Sequence, residues 1–228
     1  MKITPAWKDA EGKGLKDLGW ALQYEGSIES EEEIEIEIGS RWLKLSGSLK
    51  SQQFITAGGG IEAGEGIEAG WFITAGGGIK AGEGITAGEG IEAGEGIEAG
   101  GGIEAGGGIE AGWFITAGGG IEAGGGIEAG GGITAGEGIE AGWFIEAGWG
   151  IEAGGGIEAG WFITAGGGIK AGLSIRCKKV IKWSFDLFAG TAVWKKPTDE
   201  ECMIEAGELQ GGEVKYGIVK LLHKEEKK

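Results

Sequence analysis

The chain has 228 residues, a formal net charge of −16, 55 glycines and 2 prolines, far from an ordinary layered domain, in which glycine is about 7% of residues. That charge argues against direct binding to nucleic acid or to an anionic membrane surface, both of them polyanions, and leaves basic or neutral proteins as partners. The cysteines Cys177 and Cys202 are too few for a disulfide framework. With no charged-then-apolar leader and no apolar run near ~18 residues, a cytoplasmic protein is expected.

Residues 1–52 contain "EEEIEIEIG" and "RWLKLSGSL", alternating runs that read as strands of an N-terminal β cap. From Ile55 to Ile175 an isoleucine then falls at every sixth position, 21 times without a slip. Each unit reads x-G-I-x-A-G, so Ile and Ala share one face of an extended segment and the residue between them points outward. That middle position holds only Glu, Thr or Lys from Thr56 to Lys170. The glycine after Ala recurs in every unit from Gly58 to Gly172, as a corner requires where φ is positive or backbones approach closely. The glycine before Ile is replaced by Phe at 54, 72, 114, 144 and 162, so its requirement is weaker.

These features predict an all-β fold, a single-stranded parallel β-helix in which each six-residue unit is one strand and a corner. The pairs Gln53-Phe54, Trp71-Phe72, Trp143-Phe144 and Trp161-Phe162 share one phase modulo 18 but not modulo 12. Three strands per triangular coil follow, and residues 53–178 make seven coils of 18. Residues 179–228 lose the repeat; "VIKWSFDLFAGTAVW" and "GGEVKYGIVKLL" read as strand pairs of a C-terminal β cap.

The six-residue spacing resembles the parallel β-helix of the hexapeptide-repeat acyltransferases, a likeness that implies a left-handed coil. The reiterated "GIEAG" and "GIKAG" look similar to uncharacterised repeat proteins of phages and prophages. Acyl transfer does not carry over, because those enzymes use a histidine base between coils and the single histidine, His223, lies in a charged tail. The zinc sites of carbonic anhydrases on a similar helix need several histidines, and no aspartate lies between residues 18 and 185 to build a calcium-binding roll. No catalytic, cofactor or metal site is expected.

What remains is charge and aromatics. Residues 53–172 hold 17 Glu and 2 Lys, while residues 1–52 come to −3 and 173–228 to +2. In the 18-residue register Glu68, Glu104, Glu122, Glu140 and Glu158 share one outward row, and Glu92, Glu110, Glu128 and Glu146 another. With a net −15 on seven coils about 4.8 Å apart, the rod has a charge density near that of DNA, about one charge per 1.7 Å. The expectation is a non-enzymatic protein that presents a DNA-like field to a basic cleft, as pentapeptide-repeat gyrase inhibitors do, in a logic this chain resembles. A phage protein of this kind would inhibit a host nucleic-acid enzyme or a CRISPR-type defence complex. The aromatics Trp71, Phe72, Trp113, Phe114, Trp143, Phe144, Trp149, Trp161 and Phe162 form a candidate strip that packs corners or joins copies into a homo-oligomer, the basis of an alternative structural role.

Overall fold

Alternating a branched apolar residue with a polar one favours extended backbone, and glycines on both sides keep each strand short. In the computed structural model, which describes residues 1–222, every Ile-x-Ala triplet from Ile55–Ala57 to Ile169–Ala171 is a strand, or the end of a four-residue one. Every third strand pairs in parallel: Ile55 with Ile73, Ile61 with Ile79, and Ile67 with Ile85. The repeat is therefore a parallel β-solenoid with three strands and 18 residues per coil. Face I carries Ile55–Ala57 and its successors, face II Ile61–Ala63 and its successors, and face III Ile67–Ala69 and its successors. Among the described residues the only helical turn is the 3₁₀ segment Glu200–Cys202, and no helix is long and apolar enough to cross a membrane.

The stack has about eleven coils rather than the expected seven, since the three sheets run to 11, 11 and 12 strands. The extra coils lie in the flanking segments. Before the repeat, Ala21–Tyr24, Ile28–Ser30, Ile34–Ile36, Trp42–Leu45 and Leu49–Ser51 extend the same faces, with Leu43 in register with Ile61 and Leu49 with Ile67. The inward slot accepts Leu or Ser as well as Ile and Ala, so a coil persists after its letters have changed. After the repeat, Val180–Lys182, Asp186–Phe188 and Met203–Ala206 do the same.

Inside, the isoleucines of the repeat stack coil on coil and are each at most 1% exposed, a dry ladder of identical side chains whose burial is the main stabilising term. Backbone pairing continues around the corners: Gly82 N–H donates to Ala63 O at 2.9 Å and Gly101 N–H to Glu83 O at 2.9 Å. Corner polar groups are thus satisfied by the neighbouring coil.

Close approach, not backbone sign, explains the glycine after Ala. The positive-φ glycines are 12, 19, 26, 39, 190 and 217, all outside the repeat. A Cβ added at Gly124 would stand 2.1 Å from the carbonyl oxygen of Gly106, and one at Gly142 2.1 Å from that of Gly124. At the glycine before Ile the neighbouring backbone is farther, 3.4 Å from the Gly126 carbonyl oxygen at Gly108, which is why phenylalanine is tolerated there.

The two ends differ. At the start, Met1, Trp7 and Leu15 pack against the core, Trp7 sets its ring edge-on to Tyr24 at 5.3 Å, and the Tyr24 hydroxyl donates to the Asp9 carboxylate at 2.6 Å. That bond holds Asp9 below the usual carboxylate range and raises Tyr24. At the other end the chain leaves the stack between Ala189 and Cys202, then closes a smaller coil in which Met203 pairs with Ile218 and Ile204 with Val219, a step of 15 residues rather than 18.

Cys177 occupies an Ala slot, in register with Ala159, and burial pushes its thiol up to about 11. An exposed thiol ionises near 8.5, so the stability tied to this site is fully present below about pH 8.5 and is lost as pH climbs toward the folded value. Thermal melting at stepped alkaline pH is expected to show a shallower decline for Cys177→Ala than for the native chain.

Candidate functional site

The outward residue of each triplet decides what a face presents. On face III, Glu104, Glu122, Glu140 and Glu158 are direct neighbours in register; Thr86 precedes them and Arg176 follows. Face I repeats the arrangement with Glu92, Glu110, Glu128 and Glu146, followed by Thr164. Glu68 keeps its expected place in the face III row, one rung before Thr86, and Lys50 pairs with it at 3.4 Å.

Face II is different in kind. Its outward row runs Lys44, Glu62, Lys80, Glu98, Thr116, Thr134, Glu152, Lys170. Ion pairs join Lys44 to Glu62 at 2.8 Å, Lys80 to Glu98 at 3.0 Å and Lys170 to Glu152 at 2.6 Å. Three lysines therefore neutralise one whole face, a larger effect than the two repeat lysines suggest, because Lys44 comes from outside the repeat.

Faces III and I meet at the edge formed by Gly88-Glu89-Gly90 and its equivalents, so the two glutamate rows flank one edge. Glu89, which sequence reasoning passed over, sits on that edge; its place in the same 18-residue phase as Trp71 and Trp143 was the available signal. Beside the face I row the glycines of this edge leave a groove of about 490 Å³, lined by Gly108 and Gly126, by Glu92, Glu110 and Glu128, and by the rings of Phe72 and Phe144. Both rings lean inward. A Cβ at Gly90 would come within 2.9 Å of the Phe72 ring, and one at Gly126 within 2.4 Å of Phe144. A second gutter of about 570 Å³ runs along face III beside Glu104, Glu122, Glu140 and Glu158.

The nine aromatics do not form one strip. Trp71, Phe72, Trp143, Phe144, Trp161 and Phe162 lie on the edge between faces III and I, whereas Trp113, Phe114 and Trp149 lie on the edge between faces I and II. On the first edge Phe54 stacks on Phe72 at 6.0 Å and Phe144 on Phe162 at 5.4 Å, both nearly parallel. These stacks bracket the groove. Lys179 places its ammonium 4.0 Å from the centre of the Trp161 ring. On the second edge the Phe114 ring reaches across Gly131 to meet Trp149 edge-on at 5.6 Å. Trp71, although stacked on Phe54 at 5.9 Å, and Trp143 remain 52% and 63% exposed.

Chemically the edge offers carboxylates, flat aromatic surface and bare backbone. Among the described residues no group of three His, Cys, Asp or Glu is placed to hold a metal, and His223 lies outside the described residues. Each Glu–Glu neighbour costs roughly 0.2–1 kcal/mol, and there are six such contacts on the two rows. Salt screens them. The melting temperature is accordingly expected to rise by several degrees between low and high NaCl in a scanning calorimeter, and a fall would show that the paired charges of face II dominate. Comparison with known family models, characterised proteins and solved structures finds no match to this chain.

Proposed function

We propose that the protein is a non-enzymatic acidic rod that occupies the basic cleft of a nucleic-acid-binding protein partner. The observation that carries this reading is the unequal treatment of the three faces. Lysine at the outward position neutralises face II, twice within the repeat and once from Lys44 before it, a substitution equally open on the other faces, yet four consecutive glutamates remain on each of faces I and III. Solubility alone does not require charge to be concentrated beside one edge at a cost in stability.

Two rows at about 4.8 Å per rung carry together about one charge per 2.4 Å of axis. Double-stranded DNA has about one per 1.7 Å. A cleft lined with Lys and Arg to receive two phosphate strands finds a comparable field here, on a surface that holds no bases to read. The finer reading is a phage-encoded inhibitor acting in the host cytoplasm on a nucleic-acid enzyme or a CRISPR-type defence complex; it is supported by charge geometry and by the resemblance of the GIxAG units to phage repeats.

Immobilised protein incubated with host extract at low salt is expected to retain nucleic-acid-binding proteins that high salt or added duplex DNA releases. Retention that neither salt nor DNA reverses would refute the mimic. A structural reading is favoured by one observation, the exposure of Trp71, Trp113, Trp143 and Trp149 on two edges, which suits lateral packing in an assembly. It predicts association that salt leaves intact and that Trp143→Gly with Trp149→Gly abolishes.

A further inference from the structure

Among the described residues nothing covers the last coil at the C-terminal end of the rod, whereas Met1, Trp7 and Leu15 pack against the first coils, and we propose that the uncovered end pairs with the same end of a second copy to give a closed, tail-to-tail dimer. Three strands form the last coil: Glu208–Gln210, Glu213–Tyr216 and Ile218–Leu221. Each is the last strand of its sheet, so three rows of backbone donors and acceptors face outward along the axis. Unpaired strand edges of this kind are templates for another strand.

The apolar interior is open at the same place. Leu209 stacks on Ile181, Val214 on Leu187, and Val219 on Ile204. The lower layer is wholly buried, at 0% exposure for Ile181, Leu187 and Ile204, whereas in the last coil Leu209 and Val214 are only partly buried and Val219 and Leu221 are 45% and 51% exposed.

Two features select a second copy's tail. The first is size. Ile204, Leu209, Val214 and Val219 follow one another at five-residue steps, so the terminal coil is tighter than the 18-residue coils and matches in all three edges only a coil of its own dimensions. The N-terminal end offers no such match, being covered by Trp7 and Leu15. The second is charge. Residues 53–172 carry −15 and repel a second rod along their length, while residues 173–228 sum to +2, and two glutamates of the terminal strands are paired, Glu213 with Lys215 and Glu205 with Lys220.

A two-fold axis perpendicular to the rod reverses the sense of winding, so facing strands pair antiparallel and the contact closes at two copies. The end of a coil with sides of roughly 17 Å at ~3.3 Å per residue covers less than the ~800 Å² per partner of a standard interface. The dimer is accordingly a reversible one. It is independent of the acidic rows and of any partner they take.

Sedimentation of the full chain over a concentration series at physiological and high salt tests the proposal. The expected result is a doubling of mass with concentration, retained at high salt and lost in Val219→Lys with Leu221→Lys. Hydrogen exchange on the native chain gives a second test that needs no variant: the amides of Ile218–Leu221 are expected to slow as concentration rises, and those of Lys2–Ile3 to stay unchanged. A monomer at every concentration, a mass that grows past two copies, or a dimer lost in Trp143→Gly and kept in the tail variant would each overturn the proposal.

Discussion

Gly124→Ala is expected to destabilise the protein by about 3 kcal/mol or more, while Gly108→Ala, in the same type of corner, is expected to change stability by less than about 1 kcal/mol. Both substitutions add one methyl group to a glycine on the edge between faces III and I. The difference lies in what the methyl meets. At Gly124 it falls 2.1 Å from the Gly106 carbonyl oxygen, and at Gly108 it finds that of Gly126 at 3.4 Å. The Gly106 carbonyl cannot retreat, because the flanking backbone is hydrogen-bonded to the next coil through Gly124 N–H to Ala105 O and Gly125 N–H to Gly107 O. Relief therefore requires the coils to part, which breaks ladder bonds and opens the isoleucine stack. Gly108→Ala also removes freedom from the unfolded chain and can stabilise slightly. Chemical denaturation of the two variants side by side checks the contrast, and equal effects would show that the corner glycines serve flexibility rather than approach.

Replacing Glu104, Glu122 and Glu140 with lysine is expected to weaken capture of a basic partner by at least about tenfold, since truncating or reversing well-placed charge pairs at an interface costs 2 kcal/mol or more. Glu122 lies between Glu104 and Glu140, so reversing all three turns the centre of face III from acidic to basic. The fold should persist, because these side chains stand on the outward side while their Ile and Ala neighbours fill the interior. Replacing Glu122 alone with lysine is expected to stabilise the rod, as it removes two like-charge contacts and creates two attractive ones. The same charge change at Glu98 on face II should do the opposite, since Glu98 accepts the Lys80 ammonium at 3.0 Å. Opposite signs of effect on the two faces would establish that face identity, not total charge, governs both stability and binding.

The period, the three-fold coil and the inward pair were legible because the interior is a stack of identical layers. Any slip in spacing would push an isoleucine outward, so the 21 isoleucines record the fold directly. The extra coils were hidden by the tolerance of that same slot: Leu43, Leu45 and Leu49 fill it as well as Ile does. Two interruptions also broke the count, three additional residues between Ile34–Ile36 and Trp42–Leu45 and the excursion from Ala189 to Cys202. The even neutralisation of face II was obscured because Lys44 belongs to a non-repeat strand whose register appears only in three dimensions. The division of the aromatics was within reach, since Trp113 and Trp149 occupy a different phase of 18 from Trp71 and Trp143. The five-residue steps of the last coil are visible in Ile204, Leu209, Val214 and Val219, but four residues are too short a run to announce a period without the strand pairing beside them.

Competition with duplex DNA for a partner captured at low salt is the most direct measurement of what the acidic edge does. The rod is expected to displace DNA from that partner in proportion to its own occupancy, and the Glu104→Lys, Glu122→Lys, Glu140→Lys variant to leave DNA bound. A stable ternary complex of rod, partner and DNA, or equal displacement by the variant, would show that the glutamate rows do not stand in for phosphate strands.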